Sequence, residues 1–136
     1  MNPILLDTHA AVWAADDLLK PSVVRVVDAA ARRGELLLSP ISAWEIGMLS
    51  RRGRLSLALT VDEYVRLLFS RPGVVLAAIT PSLALAAAML PEKPISDPAD
   101  RLMIATAAAY GAHLVTHDKK VREYAKTTRH LRCIEC

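Results

Sequence analysis

The sequence predicts a three-layer α/β/α sandwich on a short, mostly parallel sheet, helix-rich and forming one domain over residues 1–136. Three observations predict it. Apolar runs too short for helices (Ile4-Leu5-Leu6, Leu36-Leu37-Leu38, Val74 to Ile79, His113 to Thr116) recur between longer segments of helical period. That alternation favours a parallel sheet covered by helices on both faces. No composition shift, internal repeat or low-complexity tract divides the chain, and 136 residues suit one hydrophobic core.

The elements follow in order. Ile4 to Asp7 is a buried strand and its turn, and Thr8 to Ala15 a helix. Pro21 suits the first turn of a second helix, with Val23, Val26, Val27 and Ala30 on one stripe and Gly34 at its end. Glu35 to Ser39 is the second strand, and Pro40 starts a helix that Gly53 terminates. Val61, Tyr64, Val65 and Leu68 mark a fourth helix, stopped by Pro72-Gly73. Val74 to Ile79 is a strand, and Thr80-Pro81 caps another helix. Pro98 to Tyr110 is apolar on nearly all sides, as a centrally buried helix would be. His113 to Thr116 is a strand, Val121 to Thr127 a short helix, and Leu131 to Ile134 an edge strand. Trp13 and Trp44 are expected in the core or at an interface.

Several classes are excluded by composition. No apolar run reaches the roughly 18–20 residues of a membrane span. Asp7 interrupts the N-terminus before any long apolar leader, so the expected location is the cytoplasm. Cys133 and Cys136 form a C-x-x-C with too few ligands for structural zinc and no following helix for a redox site; they are expected to be inert thiols.

The chemistry lies in four acids at the ends of apolar segments. Asp7 closes the first strand, Glu45 opens a helix after the second, Asp100 opens the Pro98 helix, and Asp118 follows Leu114-Val115-Thr116-His117. In a parallel α/β sheet these places fall along one edge, where ligands bind. Each acid also has a local explanation. Asp7 and Asp118 suit helix caps, Ser42-Ala43-Trp44-Glu45 fits a capping box, and Asp97-Pro98 is a cap pair that puts Asp100 in a first helical turn. Capping does not require all four to share an edge. Clustered carboxylates repel unless a cation sits among them, and oxygen ligands suit magnesium or manganese.

With those acids set apart, the formal charge of +3 rises by four for the remainder, which suits a polyanionic substrate. Basic clusters at Arg32-Arg33, Arg51-Arg52-Gly53-Arg54, Lys119-Lys120-Val121-Arg122 and Arg129 to Arg132 together lean toward nucleic acid, and six aromatic residues leave phosphate contacts to dominate. Thr8 and Thr116 adjoin site carboxylates and suit orienting roles, Asp97 is a cap first and an outer group second, and Arg101 suits a phosphate contact or an ion pair. His9 and His117 lack partners at ligand spacing.

The series Ile4-Leu5-Leu6-Asp7-Thr8-His9, Ser42-Ala43-Trp44-Glu45-Ile46, Gly53-Arg54-Leu55, Asp97-Pro98-Ala99-Asp100-Arg101-Leu102-Met103-Ile104-Ala105 and Thr116-His117-Asp118 resembles the PIN-domain nucleases, specifically the VapC-type toxins of bacterial toxin–antitoxin pairs. The resemblance implies a magnesium- or manganese-dependent endoribonuclease. Asp7 and Asp100 would then be direct ligands, with Glu45 and Asp118 completing the site. It also implies homodimers, silencing by an antitoxin, and contact with operator DNA only through that antitoxin. Leu49 and Val121 depart from a basic and an aromatic residue common in relatives, which bears on substrate or partner contacts. A haloacid-type phosphatase would need an aspartate where His9 stands. The remaining alternative is a non-catalytic module of the same fold acting through partner and DNA complexes.

Overall fold

Leucine and isoleucine triplets make the centre of the sheet because both of its faces are covered. β1 (Ile4–Leu6) and β2 (Leu36–Leu38) are buried at every position, and each such side chain contributes about 1.5–3 kcal/mol by leaving water. With β3 (Val74–Leu76), β4 (His113–Thr116) and β5 (Arg132–Glu135) they form a sheet of order β3-β2-β1-β4-β5. All four pairings are parallel, with Leu5 level with Leu37 and Leu114. The computed structural model describes residues 1–136.

Side-chain alternation divides the core in two. Ile4, Leu6, Leu36, Leu38 and Val115 face one layer, with α1 (Thr8–Ala15), α2 (Pro21–Arg32) and α4 (Val61–Ser70). Leu5, Leu37 and Leu114 face the other, with α6 (Pro98–Tyr110) and α7 (Lys119–Ala125). Outside α6 lies α5 (Pro81–Ala88), joined to it through Leu83, Ala87 and Ala105. α3 (Pro40–Arg51) crosses the C-terminal edge of the strands with Ile46 in the first core and Ile41 against the second. The three-layer sandwich is present, and its sheet is wholly parallel.

Some boundaries differ from expectation. β3 ends at Leu76, not Ile79, and is an edge strand with Val75 and Leu76 exposed. α7 starts two residues early, at Lys119, because Asp118 caps it. The last turn of α6 (Ala108, Ala109, Tyr110) is exposed, so burial reaches only its first three turns. Trp44 is 60 % exposed on α3 and not in the core. Gly73 has φ +84°, and a Cβ there would stand 2.1 Å from the Ala31 carbonyl oxygen, so the α4–β3 turn requires glycine. Cys133 on β5 packs with the second core and Cys136, one residue past its end, with the first, so the thiols take opposite faces. No helix is long and apolar enough to cross a membrane.

Candidate active site

The chain lays β2 and β3 to one side of β1 and then β4 and β5 to the other, so strand order reverses between β1 and β4. A crevice opens beyond the strand ends at such a reversal. Asp7 follows β1 and Asp118 follows β4, one on each side of it. Each carboxylate also starts a helix. Asp7 Oδ1 accepts from the Ala10 amide at 2.7 Å and Asp118 Oδ1 from the Val121 amide at 3.1 Å. Capping engages Oδ1 of each carboxylate, and Asp7 is further hydrogen-bonded by the Thr116 hydroxyl and the His117 amide.

Glu45 reaches the edge differently. α3 begins at Pro40 with Ser39 as its cap, so Glu45 lies in the second turn and the expected capping box is not formed. The capping box in this chain is Thr60 with Glu63, at the start of α4. The buried Thr8 hydroxyl donates to Glu45 Oε1 at 2.5 Å and is also hydrogen-bonded to Ser42 Oγ at 3.0 Å. One proton per hydroxyl means that Thr8 serves Glu45 and Ser42 supplies the second bond. Ser42, wholly buried, is a supporting residue not anticipated from the sequence. Its place one turn before Glu45 on the same helix face was the available signal.

α6 runs opposite to β4, so its N-terminus also comes to the acidic edge. Asp97 caps it, accepting from the Ala99 amide at 2.8 Å and the Asp100 amide at 3.1 Å. Thr116 accepts from the Asp118 amide at 3.0 Å and also hydrogen-bonds the Asp7 carboxylate. A cleft of about 490 Å³ lies against Asp97, Asp100 and Asp118, with Lys119 and Lys120 on its rim.

Burial and mutual repulsion set the electrostatics. Asp100 is pushed up to about 7, first by burial and then by the negative charges of Asp97, Asp118, Glu45 and Asp7. Burial likewise raises Asp7, against hydrogen bonds from Thr116 and Ala10, and raises Glu45, against its bond from Thr8. The four charges that move Asp100 most are all carboxylates. A set of carboxylate oxygens fits a hard divalent ion. The acids line the edge without closing into a ready cage of three ligands.

A stability prediction arises here. The folded chain holds the Asp100 proton up to about 7, above the ordinary value of 3.8, so stability falls as pH rises between them. In EDTA, the melting temperature is expected to be a few degrees higher at about pH 5.5 than at about pH 8, at ~4 °C per kcal/mol. Magnesium at the higher pH should recover the difference. A flat profile indifferent to magnesium would contradict a strained acidic cluster.

Arg101 takes no part in the cleft. Its guanidinium donates to five backbone carbonyls, those of Ala87, Ala88, Leu90, Pro91 and Ile95, at 2.5–3.1 Å. All five of its N–H donors are thereby used, which corrects the expectation of a phosphate contact or carboxylate partner. His9 and His117 are exposed beside the site acids, and with Trp13 they form a ring cluster. Trp13 is half-buried against the first core, as expected, and also meets His117 edge-on at 4.8 Å between centroids.

A wholly parallel sheet with carboxylates gathered at its switch point defines the class: an α/β protein with an acidic, cation-accepting edge. The family model for the PIN domain matches residues 4–127. Over 124 residues, 91% of this chain and 93% of the relative, the sequence is 36% identical to Ribonuclease VapC22 of Mycobacterium tuberculosis (strain ATCC 25618 / H37Rv). The chain belongs to the PIN-domain family, with the relationship to VapC-type toxins that its motifs indicate. Among solved structures, VapBC2 from Rickettsia felis bound to a DNA fragment from their promoter matches with a TM-score of 0.69 at 17% identity, over 97% of both chains, a likeness in fold.

Proposed function

We propose that this chain is an endoribonuclease toxin that uses magnesium or manganese held by Asp7, Glu45, Asp100 and Asp118 and is silenced by a cognate antitoxin. The observation that carries it is the gathering of negative charge around Asp100 at the switch point, where Asp97, Asp118, Glu45 and Asp7 all push its carboxyl up. The assignment to RNA is supported by the likeness to the mycobacterial ribonuclease, since hydrolysis at such a site does not require a 2′-hydroxyl. A bound divalent ion would supply acidity to a water and positive charge for the leaving oxygen. Asp7 and Asp118 would each offer the oxygen their helix does not use. Thr8 fixes Glu45 through Oε1 and so leaves Oε2 for a ligand bond or a proton. Lys119 and Lys120 at the rim would meet the phosphate backbone. Homodimers, and operator DNA reached only through the antitoxin, complete the proposal.

The test is cleavage of a mixed structured RNA by antitoxin-free protein in magnesium or manganese, in EDTA, and with Asp7→Asn. Cutting is expected with metal alone and is lost in both controls. A folded, metal-binding protein that cuts nothing would instead favour the non-catalytic partner-binding alternative.

A further inference from the structure

α7 is capped by Asp118 and runs away from the acidic edge, packed along β5. Beside it lies an open groove of about 840 Å³ whose charged lining includes Arg122, Lys126, Arg129 and Arg132 against a single carboxylate, Glu135. Glu135 pairs with Arg122 at 3.3 Å, yet Arg122 Nε remains buried with no hydrogen-bond partner. Lys119, Arg122 and Lys126 follow at i, i+3 and i+7, on one face of α7. The basic line therefore begins at the cleft rim and descends about 10 Å, at 1.5 Å per residue, toward the opposite end of the sheet.

We infer that this groove is a phosphate track, which holds the backbone of a single-stranded segment of substrate RNA outside the cleavage site; the inference rests on the nuclease function proposed above. The groove carries four cations and no Trp, Tyr or Phe. That lining favours phosphates over stacked bases, so binding through it should be tolerant of sequence and sensitive to salt. The track would make affinity depend on RNA length and would place part of the recognition away from the acids that cut.

The experiment compares binding of labelled single-stranded RNAs of about four and about twelve nucleotides in EDTA, where the metal-dependent reaction is stopped. The longer RNA should bind at least about tenfold tighter. Arg129→Glu/Arg132→Glu, at two exposed positions, should remove most of that gain and flatten the salt slope by about 1.4, at roughly 0.7 per phosphate contact. The pair Arg25→Glu/Arg32→Glu, exposed on α2 across the sheet, makes the same change in charge and should retain the gain. Melting curves check folding, and Arg129→Gln/Arg132→Gln replaces the reversal if folding suffers. Equal losses in both pairs, no gain with length, or full binding by the Arg129/Arg132 variant would overturn the track. Full RNA binding with loss of a co-expressed antitoxin would overturn it in favour of a protein surface. The two proposals fail separately. RNA held in EDTA but never cut in magnesium removes the nuclease and keeps the track. RNA cut in magnesium, with KM for the longer substrate unchanged by Arg129→Glu/Arg132→Glu, keeps the nuclease and removes the track.

Discussion

Asp100→Asn is expected to lower RNA cleavage by roughly 100-fold or more while raising the melting temperature of the metal-free protein. The opposite signs have one cause. Asp100 is half-buried among Asp97, Asp118, Glu45 and Asp7, which together with desolvation push its carboxyl up to about 7. Above that pH the folded protein carries a charge that its surroundings disfavour. Asparagine keeps the shape and removes the charge, so metal-free stability should rise by a few degrees at about pH 8 and little at about pH 5.5. On the proposed function the same change removes charge from a metal-holding group, so magnesium should raise the melting temperature less than in the parent. Unchanged cleavage, or a lower melting temperature at both pH values, would show that Asp100 is a helix-start residue and nothing more.

Arg101→Ala is expected to be the most destabilising change near the site, costing about 3–5 kcal/mol. Hydrogen bonds to a charged group contribute about 1.5–3 kcal/mol each, and five on one side chain are far from additive. The carbonyls concerned lie at the C-terminal end of α5 and in the loop leading to Asp97. A cation there also answers the negative end of the α5 dipole. Ile95 is buried, so its carbonyl gains little from water in exchange. At ~4 °C per kcal/mol, the melting temperature should drop by more than about 10 °C. Arg101→Lys should recover only a minority of it, because three donors on one atom cannot fan across five acceptors. A variant melting within about 2 °C of the parent would mean that the clamp contributes little.

Most of the order of elements was legible in the sequence because it is written in local signals. Apolar triplets between helical periods mark the strands, and Pro21, Pro40, Pro81 and Pro98 stand in first turns. The acids were legible for the same reason: an aspartate after a strand is visible in one dimension. What a side chain does across the fold was less visible. Arg101 adjoins Asp100 in sequence, yet its partners lie 6 to 14 residues back, beyond any short motif. Ser42 and Glu45 matched a capping box, but Ser39-Pro40 starts the helix one turn earlier. The capping explanation of Asp7 and Asp118 is realised, and both caps stand at the acidic edge, so the local signal and the proposed chemical one fall on the same residues. The pairing of His9, Trp13 and His117 needed the juxtaposition of β1 and β4, which spacing alone does not give.

The capping role of Asp7 and Asp118, set beside the function proposed for them, bears on how such a protein can be disarmed. Asparagine caps helices about as well as aspartate. A single exchange at either position would therefore extinguish the charge and spare the architecture. The outcome would be an intact, harmless decoy that still presents its partner-binding surfaces. In a cell where an active copy is held in check by a limiting antitoxin, such a decoy would compete for the restraint without adding to the hazard, and so tip the balance toward any active copy still present.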